Sequence, residues 1–419
     1  MPPLVVLGPD TGALNTRRLN RQRLLEAIRR LGPISRADLA KRTQLSPPTV
    51  SALIEELVGE AGLLREVGVG ASSGGRPPIL LEFNADYGCL VGVDIGSGTV
   101  RFALADLQGR VLARDEQRTR TESGDATVDQ VLHGIDGLFR KSGRDARKLF
   151  SIGIAAPGMT DVTTGRVIGA TNLPGWTNVP LGDLVHARFK VPVQVDNDAN
   201  MAALGERWQG VARAANDFVF IALGAGVGAG IVIGGRVHHG HHWHAGEISR
   251  MMLDYREWPV DFGARGYLER HIGAAAIPEL AQARSVLAKS VGDQESAVRV
   301  IIDAARNGDA QAAAVVEEVA VFLGTAISNI VAVLDPALVV FGGGFSHAGP
   351  QLVEPVRRVV TRIMPNVPAL EISALGDDAS LLGAVSSAMD AAEARLFAIA
   401  GSPGVSAASA SLASSALGR

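Results

Sequence analysis

Two segments limit what this chain can fold into more than any others. LVGVDIGSGTVRFALADLQGRVLA (90–113) and DFVFIALGAGVGAGIVIGGRV (217–237) each run strand-like alternation into a glycine-rich turn and out again. They lie about 130 residues apart, room enough for one α/β unit each. The pattern therefore predicts two similar lobes, each built on a mixed sheet. A third glycine-ended strand, ALVVFGGG (337–344), follows a helix-rich stretch from about 293 to 334. With 419 residues, 47% of them hydrophobic, the chain is long enough for two or three domains and a large core.

Ahead of the first lobe the pattern is different. Residues 1–16 read as a flexible arm. Leu24, Leu25, Ile28 and Leu31 recur at helical spacing in RRLNRQRLLEAIRRL (17–31), and Gly32-Pro33 ends that helix. Ser35 is placed to cap a short helix, RADLAKRT. Ser46 is placed to cap a third helix that opens with Pro47 and Pro48, tolerated in a first turn whose N–H groups lack helical partners. Two strand-like runs, 63–67 and 79–83, flank a Gly/Ser-rich loop with Arg76 at its base. This order predicts a winged helix-turn-helix over 17–84.

Charge agrees with that reading. Residues 1–50 hold nine Lys/Arg against three Asp/Glu, while the whole chain stands at −3. A basic end on an acidic body suits a polyanion, although a solvated helix face would give the same count. The candidate DNA contacts are Arg36, Ser46, Thr49, Ser51 and Arg76. Thr49 and Ser51 lie early on the recognition helix, and Arg76 is placed to enter a minor groove or grip a phosphate.

DIGSG (94–98), GAGVGAG (224–230) and FGGG (341–344) can each turn backbone N–H groups toward a phosphate. One glycine-rich turn is a weak signal; three in this order, separated by α/β segments, are far more specific. Between them, VPVQVDNDANMAALGE (191–206) delivers Asn197 and Asp198 from a strand to the start of a helix. A carboxylate there can accept a proton from a substrate hydroxyl while Asn197 fixes that hydroxyl. It can equally be a helix N-cap, and the sequence leaves both roles open.

Together with GRPP (75–78), APG (156–158), TNLPGW (171–176) and HAGEI (244–248), these motifs make the chain resemble the ROK family of repressors, uncharacterised reading frames and sugar kinases, in its DNA-binding branch. The resemblance spans about residues 17–395. It implies an α/β fold: the winged helix-turn-helix, then a two-lobed actin-like (ribonuclease H-like) body over 85–398, then an Ala/Ser-rich disordered tail over 399–419. It places a sugar in the cleft between the lobes. Matched residue by residue, it makes Gly158, Asn172, Asn197, Asp198, Glu247 and Glu269 candidates for sugar hydroxyls, with Asp198 the catalytic base if the chain is a kinase. Asp94, Gly96, Gly226, Gly228, Gly343 and Gly344 would line the nucleotide side.

The departures from the family pattern bear on chemistry. Where the kinases read DIGGTK, this chain has Asp94-Ile95-Gly96-Ser97-Gly98-Thr99, losing a hydroxyl and a positive charge. Ala225 replaces a further threonine of the second loop. These changes weaken the case for ATP and magnesium. The family's zinc ligands fall on Arg250, Val260, Phe262 and Tyr267, so no structural zinc is expected there, and the two rings suggest apolar packing in its place. Arg250 brings a permanent cation that could pair with Glu269 or Glu247 or grip an acidic ligand. Just upstream, HHGHHWH (238–244) holds five of the chain's nine histidines. It reads as a rim loop rather than a metal site, with His244 nearest the sugar.

The single cysteine, Cys89, excludes a disulfide framework and reads as a small buried apolar residue. No leader pattern and no spanning-length apolar run is read, so a cytoplasmic protein is expected. Three functions remain: a repressor-type regulator sensing a sugar or sugar derivative, a sugar kinase with an appended DNA-binding domain, or a sensor with an emptied pocket answering to a protein partner. The wing and basic helix favour the first. Gly98, Thr99 and Ala225 count against the second, and Asn197, Asp198 and Glu247 against the third. The expected partners are a palindromic double-stranded operator, a small sugar effector and further copies of the chain, because two-fold operators favour homodimers. No membrane and no cofactor are expected.

Overall fold

The computed structural model describes residues 9–59, 61–70, 77–170, 173–224, 226–263, 265–284, 286, 294–344 and 349–401. The first helix, Pro9–Leu31, begins before the expected Arg17 and takes in part of the segment read as an arm. Pro9 suits a first turn, while PDTGALNT carries no apolar period, which is why the pattern gave no signal there. Ser35 caps the helix Arg36–Thr43 by accepting the Asp38 N–H at 3.1 Å. Gln44, at φ +56, makes the turn. Ser46 then caps Pro47–Val58, accepting the Thr49 N–H at 3.3 Å. Ile34–Ser35, Ile79–Phe83 and Leu64–Val69 form an antiparallel sheet in that spatial order, completing the winged helix. Buried Arg21 reaches Glu56 at 3.2 Å and ties the first helix to the third.

Each lobe holds a five-stranded sheet, and the two share one topology. In the first lobe the order is Val193–Asn197, Leu149–Ala156, Cys89–Ile95, Thr99–Asp106, Val111–Arg118. In the second it is Ala369–Ile372, Leu338–Gly342, Phe218–Leu223, Val227–Ile233, Arg236–Val237. The first three strands of each sheet run parallel and the last two fold back antiparallel. The glycine-turn hairpins of the sequence are thus equivalent pieces of two like lobes. Cys89 lies buried, its thiol pushed up to about 12 by burial, so it is an inert packing residue. The helix Ala310–Leu334 is long and apolar enough to span a bilayer, yet Leu323, Ile327 and Ala320 are fully buried in the core of the second lobe.

Two helices cross where the lobes meet: Asp198–Gln209 and Ala379–Gly401. Their backbones touch. A Cβ on Gly383 would stand 1.6 Å from the Met201 carbonyl, and one on Gly205 2.2 Å from that of Ala379. The last helix then runs on to the DNA-binding domain. Leu381, Val385, Leu396 and Ile399 share one core with Leu24, Leu25 and Ile28. Gln22 Nε2 donates to the Phe397 carbonyl at 3.1 Å, and Arg29 pairs with Glu393 at 3.1 Å. This helix passes the expected body limit at 398, and the tail from 402 lies outside the described residues.

Candidate functional site

A cleft of about 910 Å³ opens between the lobes. Asp94, Gly96, Gly158, Asn197, Asp198, Gly226, Gly228, Glu247, Arg250, Glu269, Gly343 and Gly344, all singled out from sequence, line it. Asn172 and Ala225 lie outside the described residues. His244 is exposed and does not line the cleft; its neighbour Trp243 does.

At the centre, Asn197 rather than Asp198 is the helix cap. Its side-chain oxygen accepts the Ala199 N–H at 2.9 Å while its Nδ2 donates to the Gly158 carbonyl at 3.0 Å. Gly158 sits at φ +83 with no room for a Cβ, which would fall 2.1 Å from the Gly169 carbonyl. Capping by Asn197 leaves the Asp198 carboxylate on the cleft wall, where it accepts the Ala199 N–H at 2.8 Å. Burial pushes Asp198 up to about 6, helped by the nearby Glu247. Asp94 is pushed to about 7, by burial first and then by Asp198. Glu247 and Glu269 are also raised by burial. Glu269 accepts the Val227 N–H at 3.1 Å and so braces the second glycine loop.

These shifts have a stability consequence. Asp94 and Asp198 hold their protons more tightly when folded than when unfolded, where aspartate titrates near 4. Their charged forms destabilise the fold, so their contribution falls as pH rises from about 4 through 7. Asp198→Asn is expected to raise the Tm at pH 8 by roughly 3–6 °C. The gain should shrink as pH falls through 6 toward 4. An equal Tm for both proteins at pH 8 would mean that the buried charge costs nothing.

Sequence reasoning missed Arg101, Trp243, Arg265, Asp377 and Ser380, which also line the cleft. Arg101 lies 3.6 Å from Asp94 and donates to the Asp377 carbonyl at 3.1 Å. Its signal was its place on the strand that returns from the first glycine turn. Trp243 adopts φ +62, a conformation that bulky residues rarely hold without support. The support is local: His239 packs edge-on to it at 5.8 Å, and His239 Nε2 lies 2.7 Å from buried Asp196. One loop histidine is therefore an anchor, and the loop presents a flat ring to the cleft. Trp243→Ala is expected to weaken effector binding about 10-fold, from the one to two kcal/mol that an aromatic face contributes. It should also abolish any effector-induced change in tryptophan fluorescence; an unaltered affinity would remove Trp243 from the site.

The positions of the family's zinc ligands do not fit zinc. Phe262 and Tyr267 pack edge-to-face at 5.2 Å, and Tyr267, His271 and Phe322 continue the stack at 4.5 and 4.4 Å. Among the described residues, no three His, Cys, Asp or Glu side chains group about a metal position. Glycines of all three loops line the cleft, and Asp94 beside the first is ion-paired with Arg101.

Of the DNA candidates, Ser46 and Thr49 share a hydroxyl contact at 2.7 Å within the cap, and Ser51 is half-exposed. Arg36 pairs with Glu66 of the wing strand at 2.9 Å. Arg76 lies outside the described residues.

A winged helix-turn-helix joined to a two-lobed actin-like body with an interlobe cleft defines a class of sugar-kinase-like regulators. The chain belongs to the ROK family, whose model matches residues 90–391, and a winged helix-turn-helix DNA-binding model matches 17–60. The xylose repressor of Caldicellulosiruptor bescii is 30% identical over 383 residues, covering 88% of this chain and 95% of that one. A glucokinase of Halalkalibacterium halodurans is 34% identical over 307 residues, covering 70% and 92%. The crystal structure of a ROK-family transcriptional regulator, a homologue of the Escherichia coli MLC protein, superposes with a TM-score of 0.76 at 26% identity, covering 92% of this chain and 99% of that one.

Proposed function

We propose that the chain is a repressor-type transcriptional regulator whose cleft binds a sugar or sugar derivative and thereby changes its hold on DNA. The observation that carries this reading is the helix Ala379–Gly401. At its start Ser380 donates its hydroxyl to the Asp198 carbonyl at 3.2 Å; at its end it packs on the first helix of the DNA-binding domain. A ligand that draws the lobes together moves the start of this rod, and the rod bears on the helix-turn-helix. The repressor and regulator relatives support the reading. The operator is double-stranded and palindromic, the working form is a homodimer, and the site of action is the cytoplasm.

The glucokinase relative favours a second reading, in which Asp198 acts as base and a sugar is phosphorylated. Phosphoryl transfer depends on positioning and charge compensation at the phosphates. This chain lacks the loop lysine, and Arg101 occupies Asp94. Assaying ATP consumption and DNA binding over one sugar panel separates the readings. The regulator reading expects DNA release without turnover, and sugar-dependent turnover would replace it with the kinase. Structural zinc is absent on this account, so untagged protein should carry well under one zinc per chain by elemental analysis. Stoichiometric zinc that survives chelator would restore a metal role to the histidine loop.

A further inference from the structure

We propose that His239 and Asp196 are positioning residues for effector binding: they clasp a loop of the second lobe onto the first and so hold the Trp243 ring over the cleft. The proposal rests on the reading of the cleft as the effector site and names the residues on which its aromatic wall depends.

The loop 239–245 has both feet on the second lobe. The His238 N–H donates to the Ile231 carbonyl at 2.8 Å, and the Gly246 carbonyl accepts the Ala229 N–H at 2.8 Å. Both ends therefore hang on the strand Val227–Ile233. Between them the loop reaches across to the first lobe. His239 Nε2 lies 2.7 Å from Oδ2 of Asp196, on the strand Val193–Asn197 of the first sheet. A carboxylate only accepts, so Nε2 donates. The other oxygen, Oδ1, accepts the Asn197 N–H at 2.7 Å and Asn200 Nδ2 at 2.9 Å. Asp196 is thus fixed from within its own lobe and serves the loop of the other as a post. Its side chain is 10% exposed and that of His239 24%, so the bond is sheltered from water.

Trp243 needs that support. It sits at φ +62, where a bulky residue is strained, and it is half-buried on the cleft wall rather than packed in a core. The His239 ring meets it edge-on at 5.8 Å. The His239 carbonyl accepts the Ala245 N–H at 3.2 Å and closes the loop around it. Because the clasp joins the lobes, a ligand that stacks on Trp243 favours the lobe spacing in which the clasp is made, and the clasp favours the ligand in return.

The test uses the full chain, first without ligand. Each protein is compared with its own Trp243→Gly counterpart, in which glycine keeps the positive φ without strain, so that the difference isolates the Trp243 fluorescence. His239→Ala is expected to raise acrylamide quenching of that fluorescence roughly 2-fold, as the loop opens to solvent. His239→Gln, whose amide can donate to Asp196 in place of Nε2, is expected to quench like the wild type. Calorimetry with D-xylose, D-glucose and N-acetyl-D-glucosamine follows. His239→Ala is expected to weaken the sugar that binds about 10-fold, the worth of the aromatic face. His239→Gln is expected to restore the affinity, and His239→Ala in the Trp243→Gly background to cost nothing further, because the ring it positions is already gone. Wild-type quenching and affinity in His239→Ala, or the same loss with and without Trp243, would overturn the proposal and leave the effector reading standing. If none of the three sugars binds the wild type, the effector reading falls, and the quenching result still decides the clasp.

Discussion

Gly383→Ala is expected to lower the Tm of the body by on the order of 10 °C. The added methyl would lie 1.6 Å from the Met201 carbonyl and 3.1 Å from the Gly205 nitrogen, so backbone meets backbone and no flexible side chain can yield. Alanine gains about 1 kcal/mol over glycine in a helix. Forcing two packed helices apart costs several times that, roughly 3–5 kcal/mol, at about 2–4 °C for each. The steric loss therefore outweighs the propensity gain. Thermal unfolding followed by circular dichroism checks this. A Tm at or above that of the wild type would mean that the helices of the hinge do not cross in contact.

Asp198→Asn is expected to cost effector affinity roughly 10- to 100-fold, the worth of about 1.5–3 kcal/mol for a hydrogen bond to a charged acceptor. The amide presents donors where the carboxylate offered only acceptors. DNA affinity without effector should be unchanged, because the cleft and the recognition helix lie in different domains. The variant is thus expected to be more heat-stable at pH 8 and less sensitive to its ligand. Titration of effector against both proteins checks the pairing of these effects. An unchanged affinity would place the sugar away from Asp198.

Much of this was legible because glycine turns and helix caps are local chemistry. The 90–113 and 217–237 segments became the equivalent hairpins of two like sheets, and Ser35 and Ser46 cap the helices they were assigned. The cleft gathers residues from both lobes much as the motifs implied. What the sequence hid were choices made by tertiary packing. Asn197 and Asp198 are both good caps; Asn197 takes the role, with its Nδ2 held by the Gly158 carbonyl of a distant turn. Trp243 rather than His244 lines the cleft because the loop is pinned through His239 to Asp196, 43 positions away. The last helix, ASLLGAVSSAMDAAEARLFAIAG, is small and apolar on nearly every side. Its pattern names no single partner, and it serves the hinge, the first lobe and the DNA-binding domain at once. The arginines of the cleft come from a returning strand and a turn, where charge alone does not mark a site.

The central claim is that a ligand in the cleft controls DNA binding without being phosphorylated. The most direct measurement is fluorescence anisotropy of a labelled duplex, selected from a random pool by the full chain, titrated with protein in the presence and absence of saturating effector, with magnesium-ATP present and its consumption followed in the same sample. The account predicts that effector weakens DNA binding by at least 10-fold while ATP is not consumed, and that Asp198→Asn needs roughly 10- to 100-fold more effector for the same release. DNA affinity indifferent to every bound sugar, or ATP turnover that requires sugar and disappears in Asp198→Asn, would contradict it.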